Sequence, residues 1–250
     1  METWKKIRLG SACRTNTDSY SPKEKWDFVN YLDTGNITNN TIDSIQFIDL
    51  TKEKLPSRAR RKVRTDSIVY STVRPNQHHF GIIKSQPENF LVSTGFTVID
   101  VDTNVLNADF LYYLLTKNTL VEALHAIAEQ STSAYPSIKP SDIENLEIEI
   151  PDILTQKKIA NILNILDGKV TQNNEINKNL EQQAQAIYSS MFIEHRQESW
   201  STGQLSDLIS VKYGKDHKKL ADGNYPVYGS GGIMRYVEKP LYTGESVLIP

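Results

Sequence analysis

Residues 155–193 contain one glycine and no proline, and such a stretch favours a single long helix. At 1.5 Å per residue this helix would be roughly 58 Å long, more than a globular domain of this size needs. Asn173 lies among apolar residues that recur in steps of mostly three or four, and the other faces are polar. We therefore predict a coiled-coil spacer or pairing helix, with the core helix of a single domain as the alternative. Its apolar seam consists of Ile162, Leu166, Val170, Ile176, Leu180, Ala184, Ile187 and Met191.

Residues 1–150 have the patterns of one α+β domain. Apolar and polar residues alternate in "FVNYLDTGNITNN", "DSIVYST" and "FLVSTGFTVIDVD", which predicts the strands and turns of a twisted β-sheet. In "NADFLYYLLTKNTLVEALHAIAEQ" the apolar spacing becomes helical, which predicts one helix or two short ones. The Ser- and Pro-rich "STSAYPSIKPSDI" predicts a loop and "ENLEIEI" an edge strand, after which Pro151 ends the domain.

After the helix, two short sequence patterns from earlier in the chain recur in the same order. Trp4–Cys13 and Trp200–Ile209 each have a Trp followed five positions later by a Leu. Later, "TDSIVYS" at Thr65–Ser71 is echoed by "GESVLIP" at Gly244–Pro250. Two echoes in the same order predict a long repeat whose second copy stops about a third of the way through. We expect residues 201–250 to be too few for a core of their own, with "SVLIP" forming a strand.

Charge is unevenly distributed along a chain whose formal net charge is −2. Seven Lys or Arg occur among the thirteen residues Lys52–Arg64, whereas residues 140–200 hold 5 basic against 10 acidic residues. Coating nucleic acid by charge alone requires a broad positive face, which this chain does not have. Any contact with DNA must therefore come from local clusters, with help from a partner.

The common catalytic patterns are missing from the sequence. There is no P-loop, no H-E-x-x-H or C-x-x-C and no G-x-S-x-G, and "YGSGG" at Tyr228–Gly232 is better explained as a turn. Asp100 and Asp102 could form a carboxylate pair on a strand, although solvated acids at a strand end are the favoured interpretation. The lone Cys13 predicts a half-buried apolar filler. With no apolar run near 18 residues and no leader, we expect a cytoplasmic protein with no membrane partner and no catalysis of its own.

The order of these parts resembles the specificity subunit of type I restriction–modification systems. The resemblance rests mainly on Pro-x-x-x-x-Gln-x-x-Ile-Ala-x-Ile-Leu, from Pro151 to Leu163, and on "YPVYGSGG". In that family two target-recognition domains alternate with two long helices, which pair antiparallel as a spacer. The resemblance implies recognition domain 1 at 1–150, the spacer helix at 151–196 and an incomplete second recognition domain at 197–250. It departs from the family in length and in "PDILTQ", which has a single Pro and a Thr before the Gln.

The resemblance also implies a function. The chain would be a non-catalytic subunit that recognises a bipartite site in double-stranded DNA and directs methyltransferase subunits there, and restriction subunits through them. S-adenosylmethionine, ATP and Mg would be bound by those partners, not by this chain. With one helix where the family has two, the chain is expected to form a homodimer. A non-catalytic coiled-coil protein whose α+β domain binds a protein or glycan is the alternative.

Under this resemblance, three groups of side chains contact DNA. The loop "STVRPNQHHF" would contact base edges, because Arg suits guanine and Asn or Gln suits adenine; it supplies Arg74, Asn76, Gln77, His78 and His79. Contacts to the phosphate backbone would come from the basic cluster and from "STSAYPSIK". These residues are Arg58, Arg60, Arg61, Lys62, Arg64, Ser131, Ser133, Tyr135 and Lys139. The alternatives are that Arg74 bridges within the fold, that the two His lie in a solvated loop, and that the second loop is a plain connection.

Overall fold

The computed structural model describes residues 4–131 and 135–249 and divides the chain into two compact units, Met1–Glu181 and Gln182–Pro250. The first unit is α+β, as predicted. Its strands are β1 (Lys5–Arg8), β2 (Cys13–Thr15), β3 (Phe28–Leu32), β4 (Ile37–Thr38), β5 (Thr41–Ile42), β6 (Gln46–Asp49), β7 (Ala59–Lys62), β8 (Ile68–Ser71), β9 (Phe80–Ile82), β10 (Phe90–Ser93), β11 (Phe96–Val101) and β12 (Glu147–Ile150). The helices are α1 (Ala108–Leu115), α2 (Asn118–Glu129), α3 (Pro140–Glu144) and α4 (Ile153–Tyr188).

Two four-stranded sheets form the centre of the first unit. One has the order β6-β3-β10-β7, with β3 parallel to β10, and the other has the antiparallel order β2-β11-β8-β9. Apolar side chains of both sheets make one shared core, which includes Leu32, Val69, Val92, Phe96 and Val98. The second sheet also packs against the helices, through a larger core that includes Ile68, Tyr70, Ile99, Leu111 and Leu124. The sheets are therefore held together by burial of apolar area on the faces that meet.

The segment "FLVSTGFTVIDVD" forms two strands separated by a turn, as predicted, and the two strands belong to different sheets. β10 ends at Ser93 and β11 begins at Phe96, after a turn in which the Gly95 amide donates to Ser93 Oγ over 3.3 Å. The helical segment that follows forms two short helices, one of the two predicted alternatives. Asn107 starts α1, because its Oδ1 accepts the Phe110 amide over 2.9 Å.

β1 and β12 pair antiparallel, with Lys5 opposite Ile150, so the predicted edge strand is confirmed. Immediately afterwards Asp152 starts α4, because its Oδ1 accepts the amides of Leu154 and Thr155. The first two turns of α4 are anchored in the domain, where Gln156 is 1 % exposed. One strand pair and one cap thus connect the α+β domain to the long helix.

The Gln156 side chain fixes the start of α4 through three hydrogen bonds. Its Oε1 accepts the Asn107 amide over 2.9 Å, and its Nε2 donates to the carbonyl oxygens of Val105 (3.1 Å) and Pro151 (2.9 Å). This explains the spacing between Pro151 and Gln156 in the sequence motif: the glutamine satisfies the backbone groups that the end of the domain leaves buried.

The predicted long helix is confirmed, and it continues as a π-helical segment, Ser189–Glu194. Its predicted seam is solvent-exposed: Ile162, Leu166, Val170 and Leu180 are 54–59 % exposed. The alternative of a core helix is therefore wrong. Among the described helices, none is both long and apolar enough to cross a membrane.

The second unit contains the hairpin β13 (Asp222–Gly229) and β14 (Gly232–Val237), and the predicted turn in "YGSGG" connects its strands. The first sequence echo has a structural counterpart, because 3₁₀ turns begin at Leu9 and at Leu205, each five residues after a Trp. The second echo has none: residues 246–249 form no strand, in contrast to β8, so the strand expected in "SVLIP" is not found there.

Candidate nucleic-acid interface

The two loops predicted to contact DNA lie side by side. Val73 and Ser137 form an isolated antiparallel β-bridge. On either side of it the Arg74 amide donates to the Pro136 carbonyl over 2.9 Å, and the Ile138 amide donates to the Thr72 carbonyl over 2.8 Å. The β8–β9 loop (residues 72–79) and the segment 135–139 therefore make one continuous surface, although they are far apart in the sequence.

Arg74 has an unusual backbone conformation, with a φ of 48°. A positive φ is uncommon for a residue with a Cβ, and such residues are concentrated at functional sites. The exposed side chain passes over Tyr135, with the guanidinium carbon 5.3 Å from the ring centre. This cation–π contact restricts the guanidinium while leaving its N–H groups available to a ligand.

Asn76 and Gln77 are exposed on a 3₁₀ turn, Pro75–Gln77. The turn is fixed by hydrogen bonds from the Gln77 amide to the Arg74 carbonyl (2.9 Å) and from the His78 amide to the Pro75 carbonyl (3.1 Å). Pro75 is buried, and the turn lies against α2. The two amide side chains are therefore presented to solvent by a backbone that is itself well anchored.

The two histidines of this loop have different environments. The Nδ1 atom of His79 lies 2.7 Å from the Ile37 carbonyl oxygen and 3.3 Å from Thr38 Oγ1, so this ring is bound to β4. His78 has a φ of 58°, and its ring packs edge-on against Phe80, with 5.5 Å between the centroids. Both histidines are half-buried, but the His79 ring is bound within the fold, whereas His78 belongs to the surface made by the two loops.

The basic cluster lies on and around β7, and its members differ in what they contact. The Arg58 guanidinium lies against Gly95, in the position that a Cβ there would occupy. Arg61 is half-buried and donates to the Thr94 carbonyl over 3.4 Å, and burial lowers the pKa of its guanidinium. Arg60 is exposed, and its carbonyl accepts the Tyr20 amide over 2.8 Å. Arg58 and Arg60 are thus both exposed, and Arg58 differs from Arg60 in having its guanidinium against Gly95.

Lys62 and Arg64 have acidic partners inside the domain. Lys62 Nζ lies 2.5 Å from Glu24 Oε2 and 5.4 Å from the centre of the Trp26 ring, and the hydrogen bond to Glu24 raises the pKa of Lys62. Arg64 Nε lies 3.1 Å from Asp100 Oδ1, and Asp100 is 6 % exposed. These two positive charges are thus partly neutralised before any phosphate approaches.

Asp100 and Asp102 do not form a carboxylate pair. Asp100 also accepts hydrogen bonds from Ser67 Oγ (2.5 Å) and Thr17 Oγ1 (3.0 Å), so it is a buried structural acid, and its interpretation as solvated was wrong. Asp102 is exposed and accepts the Asn104 amide, as expected of a solvated acid. Cys13 is buried more completely than predicted, and burial raises the pKa of its thiol to about 11.

The remaining predicted backbone contacts lie at the ends of the second loop. Ser131 Oγ lies 3.3 Å from Ser137 Oγ, and Lys139 is exposed immediately before α3. Ser133 lies outside the described residues. The second loop is therefore more than a plain connection over residues 135–138, because it forms the bridge to the β8–β9 loop.

Sequence reasoning missed the small hairpin β4–β5, which adjoins the same surface. The Asn39 amide donates to the His78 carbonyl and the Asn40 amide to the Phe80 carbonyl, both over 2.9 Å. The signal was present in "ITNNTI", where two asparagines separate alternating β-branched residues. That pattern was included in a longer strand-and-turn segment and was not recognised as a hairpin.

An open groove of about 520 Å³ separates this hairpin and His78 from α1 and α4. Tyr113 lies in its wall and connects the helices, because its hydroxyl is 2.8 Å from both Asn164 Oδ1 and Asp167 Oδ2. Burial, and then the bond to Asp167, raises the pKa of Tyr113. The lining residues that the structure describes include Asp167 but no lysine or arginine. The groove therefore offers hydrogen-bonding and aromatic groups without a phosphate-binding charge.

Comparison with sequence families gives one extensive match. The model of the type I restriction modification DNA specificity domain matches residues 1–182. The chain is similar to the HindI specificity subunit of Haemophilus influenzae, with 31 % identity over 212 residues, 85 % of this chain and 46 % of that one. It is also similar to the MjaIX specificity subunit of Methanocaldococcus jannaschii, with 24 % identity over 236 residues, 85 % of this chain and 52 % of the relative. The chain thus spans about half the length of these relatives.

Two solved structures resemble this fold. The HsdS subunit from Thermoanaerobacter tengcongensis has a TM-score of 0.59 at 21 % identity, over 80 % of this chain and 51 % of that chain. The type I restriction-modification S subunit from M. genitalium has a TM-score of 0.58 at 18 % identity, over 96 % of this chain and 63 % of that chain. At these identities the likeness concerns the fold.

Proposed function

Since the chain belongs to the family of type I restriction modification DNA specificity domains, we propose that it recognises a DNA sequence and directs a partner methyltransferase to it. The observation that supports this most is the bridge between Val73 and Ser137, which joins two separately predicted DNA-contacting loops into one surface. That surface presents an arginine, two amide side chains and a histidine, the residue types that contact base edges and phosphates.

The contacts can be divided by their environment. Arg74, Asn76, Gln77 and His78 would contact base edges, because the anchored loop presents them together. Arg60 and Lys139 would contact phosphates, because they are exposed. Arg58 and Arg64 are exposed as well, but they, like Arg61 and Lys62, have interactions inside the domain. Tyr135 orients Arg74. Ser131 lies at the margin of the same surface.

We further propose that the catalytic partners are separate subunits in the cytoplasm. A methyltransferase subunit would bind S-adenosylmethionine, and a restriction subunit would bind ATP and Mg. The chain itself would be non-catalytic and would supply the sequence specificity. Its local basic residues give weak affinity for DNA when it is isolated, and affinity should rise when the methyltransferase subunit closes around the duplex.

The exposed seam of α4 supports pairing of two copies of the chain. Full burial of a Leu or Ile side chain is worth about 1.5–3 kcal/mol, so eight seam residues can offset much of the entropy lost on association. Antiparallel pairing would place one recognition domain at each end. The recognised site would then be an interrupted palindrome, because the two domains are identical.

Methylome sequencing tests the proposal directly. A strain that expresses the chain with its methyltransferase subunit should show methylation at one interrupted palindrome, and a strain without the chain should not. Purified protein should bind DNA more tightly with the methyltransferase subunit than without it. Methylation that does not depend on the chain, or equal DNA affinity with and without the subunit, would contradict the proposal and favour a protein- or glycan-binding role.

A further inference from the structure

The turn of the β4–β5 hairpin consists of Asn39 and Asn40, whose φ angles are 45° and 65°. Ile37 pairs with Ile42 and Thr38 with Thr41, so these two asparagines connect the strands. Positive φ at both central positions is what a two-residue type I′ turn requires, and Asn adopts it more readily than other residues with a Cβ. The sequence therefore specifies the shape of the tip.

The hairpin is fixed to the strand that follows the β8–β9 loop. The backbone amides of Asn39 and Asn40 donate to the carbonyls of His78 and Phe80. In addition, Asn40 Oδ1 accepts a hydrogen bond from the Ile82 amide over 2.8 Å. A Cβ at Gly81 would come 2.5 Å from Ile37 Cδ1 and 2.8 Å from Asn40 Oδ1, so the glycine permits this close approach. The hairpin and the loop that carries Arg74 thus have a fixed relative position.

The two asparagines differ in what their side chains do. The Asn40 side chain is used to hold the hairpin against β9. Asn39 is exposed, and among the described residues its side-chain amide has no hydrogen-bond partner. Its backbone amide is bound to the carbonyl of His78, itself a member of the candidate base-contacting loop. Asn39 therefore presents a free donor and acceptor immediately beside that loop.

The chemistry of the tip suits a base edge better than a phosphate. The major groove of DNA admits a two-stranded β-ribbon, and an Asn side chain can bond adenine N6 and N7 together. The adjoining groove contains Asp167 and no lysine or arginine among its described lining residues, so it would repel a phosphate. On these grounds, and resting on the proposed function, we propose that the β4–β5 hairpin is a second sequence-reading element in which Asn39 contacts an adenine.

The test uses the full chain with its methyltransferase subunit and two substitutions that suit a positive φ. Asn39→Gly keeps the turn and removes the side chain, and Asn39→Asp keeps the shape but replaces the donor by an acceptor. We expect Asn39→Gly to relax one adenine position of the methylated site, with a loss of about ten- to a hundredfold in discrimination there. Asn39→Asp should shift the same position towards cytosine, whose amino group a carboxylate accepts.

Asn89→Gly is the matched control, because Asn89 also has a positive φ, 51°, in a turn before β10. It should leave the methylated sequence unchanged. An unchanged sequence with Asn39→Gly would overturn the inference while leaving the proposed function intact. Absence of any specific methylation with the wild-type chain would instead contradict the proposed function. Thermal unfolding is measured in parallel. Loss of folding in both Asn39 variants would show that Asn39 is required for the fold, and this result would also overturn the inference.

Discussion

The guanidinium of Arg74 stacks on the ring of Tyr135, and the two residues come from loops that are joined by a β-bridge. This stacking limits the rotamers of a long side chain before any ligand arrives. A restricted guanidinium loses less entropy when it forms two parallel hydrogen bonds to guanine. If Arg74 contacts a base as proposed, the pair would combine affinity with a defined direction of contact.

We predict that Arg74→Lys relaxes the recognised site at one base pair almost as much as Arg74→Ala does. Lysine keeps the charge but cannot bond guanine O6 and N7 as a planar fork, and the loss should be about 1–3 kcal/mol. Tyr135→Phe keeps the ring and should have little effect, whereas Tyr135→Ala should weaken the same position. Methylome sequencing of the four strains measures this, and an unaltered site in Arg74→Ala would refute the assignment.

Arg60→Ala should weaken binding to all DNA sequences alike. It should also reduce the magnitude of the slope of log affinity against log salt concentration by about one. The reason is that Arg60 is exposed and, among the described residues, has no acidic partner such as Lys62 and Arg64 have. Lys52→Ala is the control with the same change of charge, because Lys52 Nζ is 2.7 Å from Asp49. Binding is measured at several salt concentrations. Equal slopes for wild type and Arg60→Ala would rule out a phosphate contact.

Replacement of Gln156 by alanine should lower the free energy of unfolding of the first unit by about 1–3 kcal/mol. The substitution leaves the amide of Asn107 and the carbonyls of Val105 and Pro151 buried without this partner. Gln172→Ala, at an exposed position of the same helix, should change the free energy of unfolding little. Urea unfolding followed by circular dichroism compares the two variants, and similar midpoints would show that the three bonds are dispensable.

Leu166→Asp together with Leu180→Asp should convert a dimer of the chain to a monomer. Both positions lie on the exposed seam, and a carboxylate there cannot be buried against a second helix without a large desolvation cost. The double variant Gln172→Asp and Gln182→Asp adds the same charge outside the seam and should remain dimeric. Light scattering at tens of micromolar gives the mass. A wild-type monomer at that concentration would exclude the pairing model.

Local patterns predicted the elements whose structure depends on nearby residues. The long helix follows from its composition, the turn in "YGSGG" from its glycines, and β12 from the alternation in "ENLEIEI". The importance of Gln156 was visible as a motif, but its physical role was not. Its partners, Val105 and Asn107, are about fifty residues away in sequence, and only the fold brings them together.

The candidate surface was predictable as two separate loops but not as one. A count of charges could not reveal that Glu24 and buried Asp100 bind two members of the basic cluster, because both acids are distant in sequence. Likewise, adjacent His78 and His79 look equivalent, and only the position of β4 distinguishes them. Which charges remain available to DNA is therefore a property of tertiary contacts.

The pairing of β1 with β12 has a consequence for how the domain is made. β1 is synthesised near the start of the domain, and its partner strand emerges only when nearly the whole domain has left the ribosome. At bacterial or eukaryotic elongation rates this interval is on the order of ten seconds, far longer than hairpin formation. We expect this distant pairing to be a slow step of folding, because loop closure must come before the contacts that reward it. The last strand to emerge thus closes the domain, and α4 leaves the ribosome directly after it.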